Sequence, residues 1–237
     1  MLPFETTQWT LVVKAADSGS GEARQALGQL CNKYWQPLFE YARRRTRDEA
    51  TAHDAVQAFI TRLIEKETLR VANPDRGKFR SFLIVSFKHF LQQQQVHSQA
   101  QKRGGDQVVV SLDQRQEGDR KMEPADFATA EQEFEREWAR TLLKLVMAQL
   151  EDDYRQQDKL IQFQQLKPFI ALRTREEGHN YQSVAEQLEM TTAAARMAAS
   201  RMREKFRLLL RQEIAQTVTG EQEVDEEIRQ LFRAFQV

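Results

Sequence analysis

The chain has 237 residues, enough for two small domains and a linker, with 35 basic residues balanced by 35 acidic ones. Nine glycines, five prolines and an apolar share of 41 % argue for helical cores and against a large enzyme fold. The single cysteine, Cys31, excludes an internal disulfide framework and points to a reducing, cytoplasmic compartment.

The opening "MLPFETTQWTLVVKAADSG" lacks the basic start and long apolar core of a signal peptide, and no run is apolar enough to span a membrane. Its "TTQWTLVVKAA" can open a helix on a threonine cap. In "GEARQALGQLCNKYWQPLFEYARRR", Ala26, Leu27, Leu30, Tyr34, Leu38 and Tyr41 recur at helical spacing. Pro37 inside that stretch predicts a kink or a break. Cys31 lies on the apolar side and reads as a buried small hydrophobe. "TRDE", Thr46 to Glu49, reads as a capping box, so the next helix is expected to start near Arg47. Val56, Phe59, Ile60, Leu63 and Ile64 form its apolar face. "NPDRG" at 73–77 is a turn, and "KFRSFLIVSFKHFLQQQQ" closes the first block as a helix.

Residues 96–130 change character: glycines, a proline and many charges predict a flexible linker. The fold class expected is therefore all-α: two helical domains, 1–95 and 131–218, joined by that linker, with a last helix in 219–237. In this last segment Val224, Ile228, Leu231, Phe232 and Phe235 form one apolar stripe. Within the second block, "EQEFEREWARTLLKLVMAQLEDDYRQQ" is a long amphipathic helix and "DKLIQFQQLKPFIAL" follows it.

"YQSVAEQLEMTTAAARMAASRMREKF" has the layout of a helix-turn-helix. Asn180 or Ser183 can begin a short helix whose apolar side is Val184, Ala185 and Leu188. Glu189 and Met190 make the turn, and Thr191 or Thr192 caps the second helix. Ala195, Ala199, Met202 and Phe206 are spaced for burial; Arg196, Ser200, Arg203 and Arg207 fall on another side. From Arg196 to Arg211 six basic residues stand against the single acid Glu204, a local charge of +5 in a neutral chain. A slim, capped, basic helix suits a major groove, where arginines fork to guanine or hold phosphates. Many such turns carry glycine or asparagine where Glu189 stands.

Two helical blocks in this order, with this linker, resemble the extracytoplasmic-function type of bacterial RNA polymerase sigma factor. "TTQWTLVVKAA", "YWQPLFEYARRR", "NPDRGKFRSFL", "AQKRGG", "EFEREW" and "LKPF" resemble one subgroup, linked to Ser/Thr protein kinases. The resemblance implies that the first domain binds the β′ clamp helices of core polymerase and opens the −10 element. It implies that the second binds the β flap and reads the −35 element. Matched residue by residue, Arg196, Ser200, Arg201 and Arg203 sit where −35 contacts occur. Arg80, Phe82, Lys88 and His89 lie in the helix that would meet the −10 strand, with Arg80 and Lys88 the candidates for phosphate. Phe82 belongs to the apolar stripe Phe79, Phe82, Leu83, Phe87, Phe90 and Leu91, which reads as core. Balanced charge is consistent with a subunit that borrows affinity from a polymerase, because a free DNA reader usually carries a basic excess.

The same resemblance makes one substitution conspicuous. The helix that meets the clamp usually presents Asp-Ala-Glu-Asp, and here the aligned residues are Thr51-Ala52-His53-Asp54. Charge complementarity with a basic clamp is reduced accordingly. Thr51, Asp54, Ala58, Arg62 and Glu65 share a face opposite Val56, Ile60 and Leu63, so Thr51, Asp54, Ala58 and Glu65 are the expected polymerase contacts. Phosphorylation of Thr51 would add about −1.5 to −2 charges, as much as the two missing carboxylates. A Ser/Thr protein kinase is thus an expected partner, with Thr61 a weaker site and His53 a surface histidine.

The other function class is a stand-alone dimeric helix-turn-helix regulator. Enzyme chemistry has no support: there is no Gly-rich phosphate loop and no HExxH, and His53, His89, His97 and His179 are scattered. Asp152–Asp153 reads as a solvated helix end. No catalytic residue, metal or cofactor is expected.

Overall fold

A computed structural model of the chain describes residues 21–46, 48–64, 78–102, 124–170, 180–218 and 220–235. Among these residues every regular element is helical and no strand occurs. The chain divides into two compact units, 1–139 with 216–237, and 140–215.

In the first unit α1 (Gly21–Thr46) buries Cys31, Tyr34, Leu38, Tyr41 and Ala42 along one stripe. It runs unbroken through Pro37, so the break that proline permits does not occur. α2 (Glu49–Ile64) turns Ala52, Ala55, Val56, Phe59 and Leu63 inward. The two alanines leave room for close approach of the helices. α3 (Phe79–Lys102) inserts Phe79, Leu83, Phe87, Phe90 and Leu91. An aromatic chain links the three: Tyr34 meets Phe79 at 5.2 Å between centroids, and Phe59 meets Phe87 at 4.9 Å and Phe90 at 5.6 Å. Full burial of each such ring is worth about 1.5–3 kcal/mol relative to exposure.

The start of α2 differs from the expected capping box. Thr46 ends α1, its hydroxyl 3.0 Å from the Ala42 carbonyl oxygen. Asp48 is the cap: its carboxylate accepts from the Thr51 amide at 2.7 Å and also from the Thr51 hydroxyl, while its carbonyl accepts from the Ala52 amide. Aspartate accepts both bonds as an anion at a helix N-terminus, where negative charge is favoured.

α4 (Pro124–Gln156) is a single long helix that belongs to both units. Ala130, Phe134 and Trp138 are buried in the first, and Leu142, Val146 and Leu150 continue the four-residue spacing in the second. The expected boundary at 131 therefore falls inside a helix, and the division lies at 139/140. Of the expected linker 96–130, residues 96–102 extend α3 and 124–130 begin α4; the remainder lies outside the described residues.

The second unit adds α5 (Leu160–Leu166), a 3-10 turn (Lys167–Ile170), α6 (Tyr181–Gln187) and α7 (Thr192–Ala215). Phe163, Leu166 and Ile170 pack in its core with Val184, Ala185, Ala195, Ala199, Met202, Phe206, Leu210 and Ile214. α8 (Glu221–Arg233) returns to the first unit, burying Val224, Leu231 and, unexpectedly, Glu227. Of its expected apolar stripe, Ile228 and Phe232 are half-buried and Phe235 is exposed.

Candidate functional site

Three surfaces carry the residues singled out from the sequence. The first is the outward face of α2. Thr51, Asp54 and Ala58 are exposed, and Glu65 lies outside the described residues. Asp54, Ala58, Thr61 and Arg62 line a shallow groove with Phe90 and Gln94 of α3. Arg62 donates to Gln93 across it at 3.0 Å. His53 is exposed and sits edge-on to Trp35 at 5.4 Å. Asp48, which the sequence reading passed over, fixes Thr51 by two hydrogen bonds. Those bonds hold its carboxyl below the ordinary carboxylate range, the Thr51 hydroxyl contributing most. The available signal was Asp48 standing three residues before a threonine.

The second surface is the N-terminal half of α3, and here the expectation needs correction. Arg80, expected at a DNA phosphate, is 4 % exposed. Its Nη2 and Nε donate to the two oxygens of Glu227 at 2.9 and 3.1 Å, it contacts Gln230 and Glu135, and its guanidinium stacks 4.1 Å from the Trp138 ring centroid. Lys78 Nζ lies 3.0 Å from Glu227 and 3.2 Å from Glu226. Tyr34 hydrogen-bonds to Trp138 and Thr217 under this cluster, and burial pushes its hydroxyl pKa up. Lys88 is half-buried and paired with Glu131, His89 is exposed, and Phe82 is half-buried against Phe79. The reason for the discrepancy is long-range: the partner of Arg80 stands 147 residues further along the chain.

The third surface is formed by α6, its turn and α7. The Asn180 side chain caps α6 by accepting from the Gln182 amide at 2.9 Å. Met190 N–H closes the turn on the Ala185 carbonyl at 2.9 Å, with Glu189 at φ 51°. That left-handed conformation explains why glycine or asparagine suits the position. Thr191 caps α7, its Oγ1 accepting from Ala194 N–H at 3.1 Å. Arg196, Ser200, Arg201 and Arg207 are exposed and Arg203 is half-buried, while Ala195, Ala199, Met202 and Phe206 face inward. Arg196 lies over the Tyr181 ring at 5.6 Å, and Tyr181 itself stacks on Phe169 at 4.4 Å. A cation over a ring keeps its charge available while its direction is restrained. Tyr181 was not singled out from the sequence; its place at the first turn of α6 was the only available hint.

No helix among the described residues is long and apolar enough to cross a membrane. No curated protein and no solved structure matches the chain. The family described as "ECF sigma factor" matches residues 6–212, which includes α1 to α6 and most of α7. Described residues whose regular elements are all helical, among them a capped, arginine-bearing helix after a short turn, are consistent with that match, and the chain belongs to the ECF sigma factor family, the alternative sigma factors that direct RNA polymerase to promoters.

Proposed function

We propose that this sigma factor engages core polymerase through the outward face of α2, and that phosphorylation of Thr51 by a Ser/Thr protein kinase strengthens the engagement. The observation that carries the reading is the exposure of Thr51 on one stripe with Asp54 and Ala58. Glu65 completes the expected stripe. Thr51 is the third residue of α2 after its cap, within the turn where negative charge is favoured by about 0.3–1 kcal/mol. A phosphate there adds about −1.5 to −2 charges and three acceptors suited to the basic β′ clamp helices. It also removes the hydroxyl proton that Asp48 now accepts, so the cap must rearrange as the phosphate takes over helix N–H groups.

The second unit is read as the −35 reader and the partner of the β flap. Arg196, Ser200, Arg201 and Arg203 are its expected base or phosphate contacts, supported by the exposure of the first three on α7. Lys88 and Arg80 of α3 are read as −10 contacts, Arg80 only once its carboxylate partners are removed.

The test uses purified core polymerase with the unmodified chain, the Thr51-phosphorylated chain, Thr51→Glu and Thr51→Ala. Binding of the phosphorylated chain is expected to be at least about tenfold tighter than that of the unmodified one, a difference of about 1.4 kcal/mol. Thr51→Glu is expected to recover part of the gain and Thr51→Ala none. Equal holoenzyme formation by all four removes the switch.

A further inference from the structure

We propose that α8 is a detachable acidic plug: it occupies the basic head of α3 in place of a nucleic-acid backbone and must leave before Lys78 and Arg80 can meet a DNA strand. The proposal rests on the reading of α3 as the −10 helix. Its physical basis is the form of the contact. Glu227 receives Arg80 with both carboxylate oxygens and Lys78 at one of them, and Glu226 adds a second bond to Lys78. A fork on two oxygens plus an ammonium on a third anionic atom is the arrangement with which these side chains hold phosphate. Residues Glu221 to Arg233 carry five acidic residues against two arginines, so the plug is anionic as a whole. Trp138, on which Arg80 stacks, offers a flat apolar face beneath the cation, as single-strand sites do beneath a base.

The contact is built to come apart cleanly. A mutation that deletes one partner of a buried ion pair strands the other, but undocking of α8 returns Glu227 to water and opens Arg80 to solvent beside the half-exposed Glu135 of α4. Only two apolar side chains of α8 are fully buried, Val224 and Leu231, with Ile228 and Phe232 half-buried beside them. Gly220, at the N-cap of α8, provides no side-chain cap, and 13 residues are too few for a stable helix in isolation. Thr217 marks the fixed end: its carbonyl accepts from Phe79 N–H at 3.1 Å, the first amide of α3. The segment beyond it can therefore leave while its root stays attached.

The test compares the full chain with Leu231→Ala and with the double variant Glu226→Gln/Glu227→Gln. Two readings are taken: hydrogen exchange of the α8 amides, and anisotropy of a fluorescent, short single-stranded DNA at low salt. Both variants are expected to raise α8 exchange far more than that of the α2 and α3 amides, and to bind the strand at least about tenfold tighter, because the competent fraction rises. Adding Arg80→Gln to Leu231→Ala is expected to cancel the gain. If the double variant loses α2 and α3 protection, Leu231→Ala alone decides, since it strands no charge. Raised α8 exchange with unchanged affinity overturns the proposal, and so does failure of Leu231→Ala to raise α8 exchange. Initiation by holoenzyme that is indifferent to both Arg80→Gln and Lys88→Gln overturns instead the underlying reading of α3.

Discussion

Replacing Glu227 by glutamine removes one charge from a pair in which both members are nearly inaccessible, at 4 % for Arg80 and 1 % for Glu227. Stranding one partner of a buried ion pair typically costs about 3–5 kcal/mol. The local structure places the expected loss at the lower end. Arg80 keeps Glu135 and Gln230 as neighbours and the Trp138 ring beneath it. We expect Glu227→Gln to destabilise the first unit by about 3 kcal/mol, and Arg80→Met to do the same or less, because Lys78 remains 3.0 Å from Glu227. The double variant Arg80→Met/Glu227→Leu should fall within about 1 kcal/mol of the parent, since apolar replacement of both partners recovers their desolvation cost. Urea unfolding followed by circular dichroism, with the four proteins treated as a double-mutant cycle, measures the coupling. Single variants as benign as the double one would refute the claim that these charges depend on one another.

The remaining expectations concern three other places. Asp48 has its carboxyl held below the ordinary aspartate range, first by the Thr51 hydroxyl and then by its amide. A depressed folded pKa means the stabilisation is present above the unfolded value and is lost as pH falls through the folded one. The Thr51 amide should therefore lose exchange protection in that acid window, and Asp48→Asn should abolish the pH dependence in an NMR titration. Glu189 has a positive φ in the turn before α7, so Glu189→Gly should stabilise the second unit by about 0.5–1 kcal/mol, seen as a higher Tm. Cys31 is buried and its thiol is pushed up to about 12 by desolvation; thiol reagents should label it at neutral pH only as fast as the first unit opens.

The parts of the fold legible in the sequence are those set by local chemistry. The inward face of α2 follows from helical spacing, because Val56, Phe59 and Leu63 return every third or fourth residue. The caps at Asn180 and Thr191 are readable because the polar side chain and the amide it serves lie within three residues. Three features were not legible, through competition, unbroken spacing and distance. Thr46 and Asp48 are both good cap residues two positions apart, and only the packing of α1 against α2 decides that the first closes one helix and the second opens the next. The seam in α4 was illegible because its buried residues keep one spacing from Ala130 to Leu150, with no glycine or proline between them. Glu227 gave no signal at all: in an acidic, amphipathic helix a glutamate reads as solvated until its partner is known.

The zero net charge looks different once the pairs are placed. In the first unit Arg44 pairs with Glu133, Lys88 with Glu131, Arg80 with Glu135 and Glu227, and Lys78 with Glu226 and Glu227. The acids come from residues 131–135 of α4 and from α8, within the two acidic stretches "EQEFERE" and "EQEVDEE". On α7 the distribution is different: Lys205 meets Asp153 at 2.8 Å, but among the described residues no carboxylate pairs with Arg196, Arg201, Arg203 or Arg207. Counterion release on DNA scales with the phosphates that free cations neutralise. In this conformation the exposed arginines of α7 are the ones open to such a contribution, while Lys78, Arg80 and Lys88 at α3 are already paired with the chain's own carboxylates. Neutrality here is a property of paired surfaces and not of a uniform one; on the proposed reading of α3, promoter contact by Lys78 and Arg80 requires that these intramolecular carboxylates be displaced first.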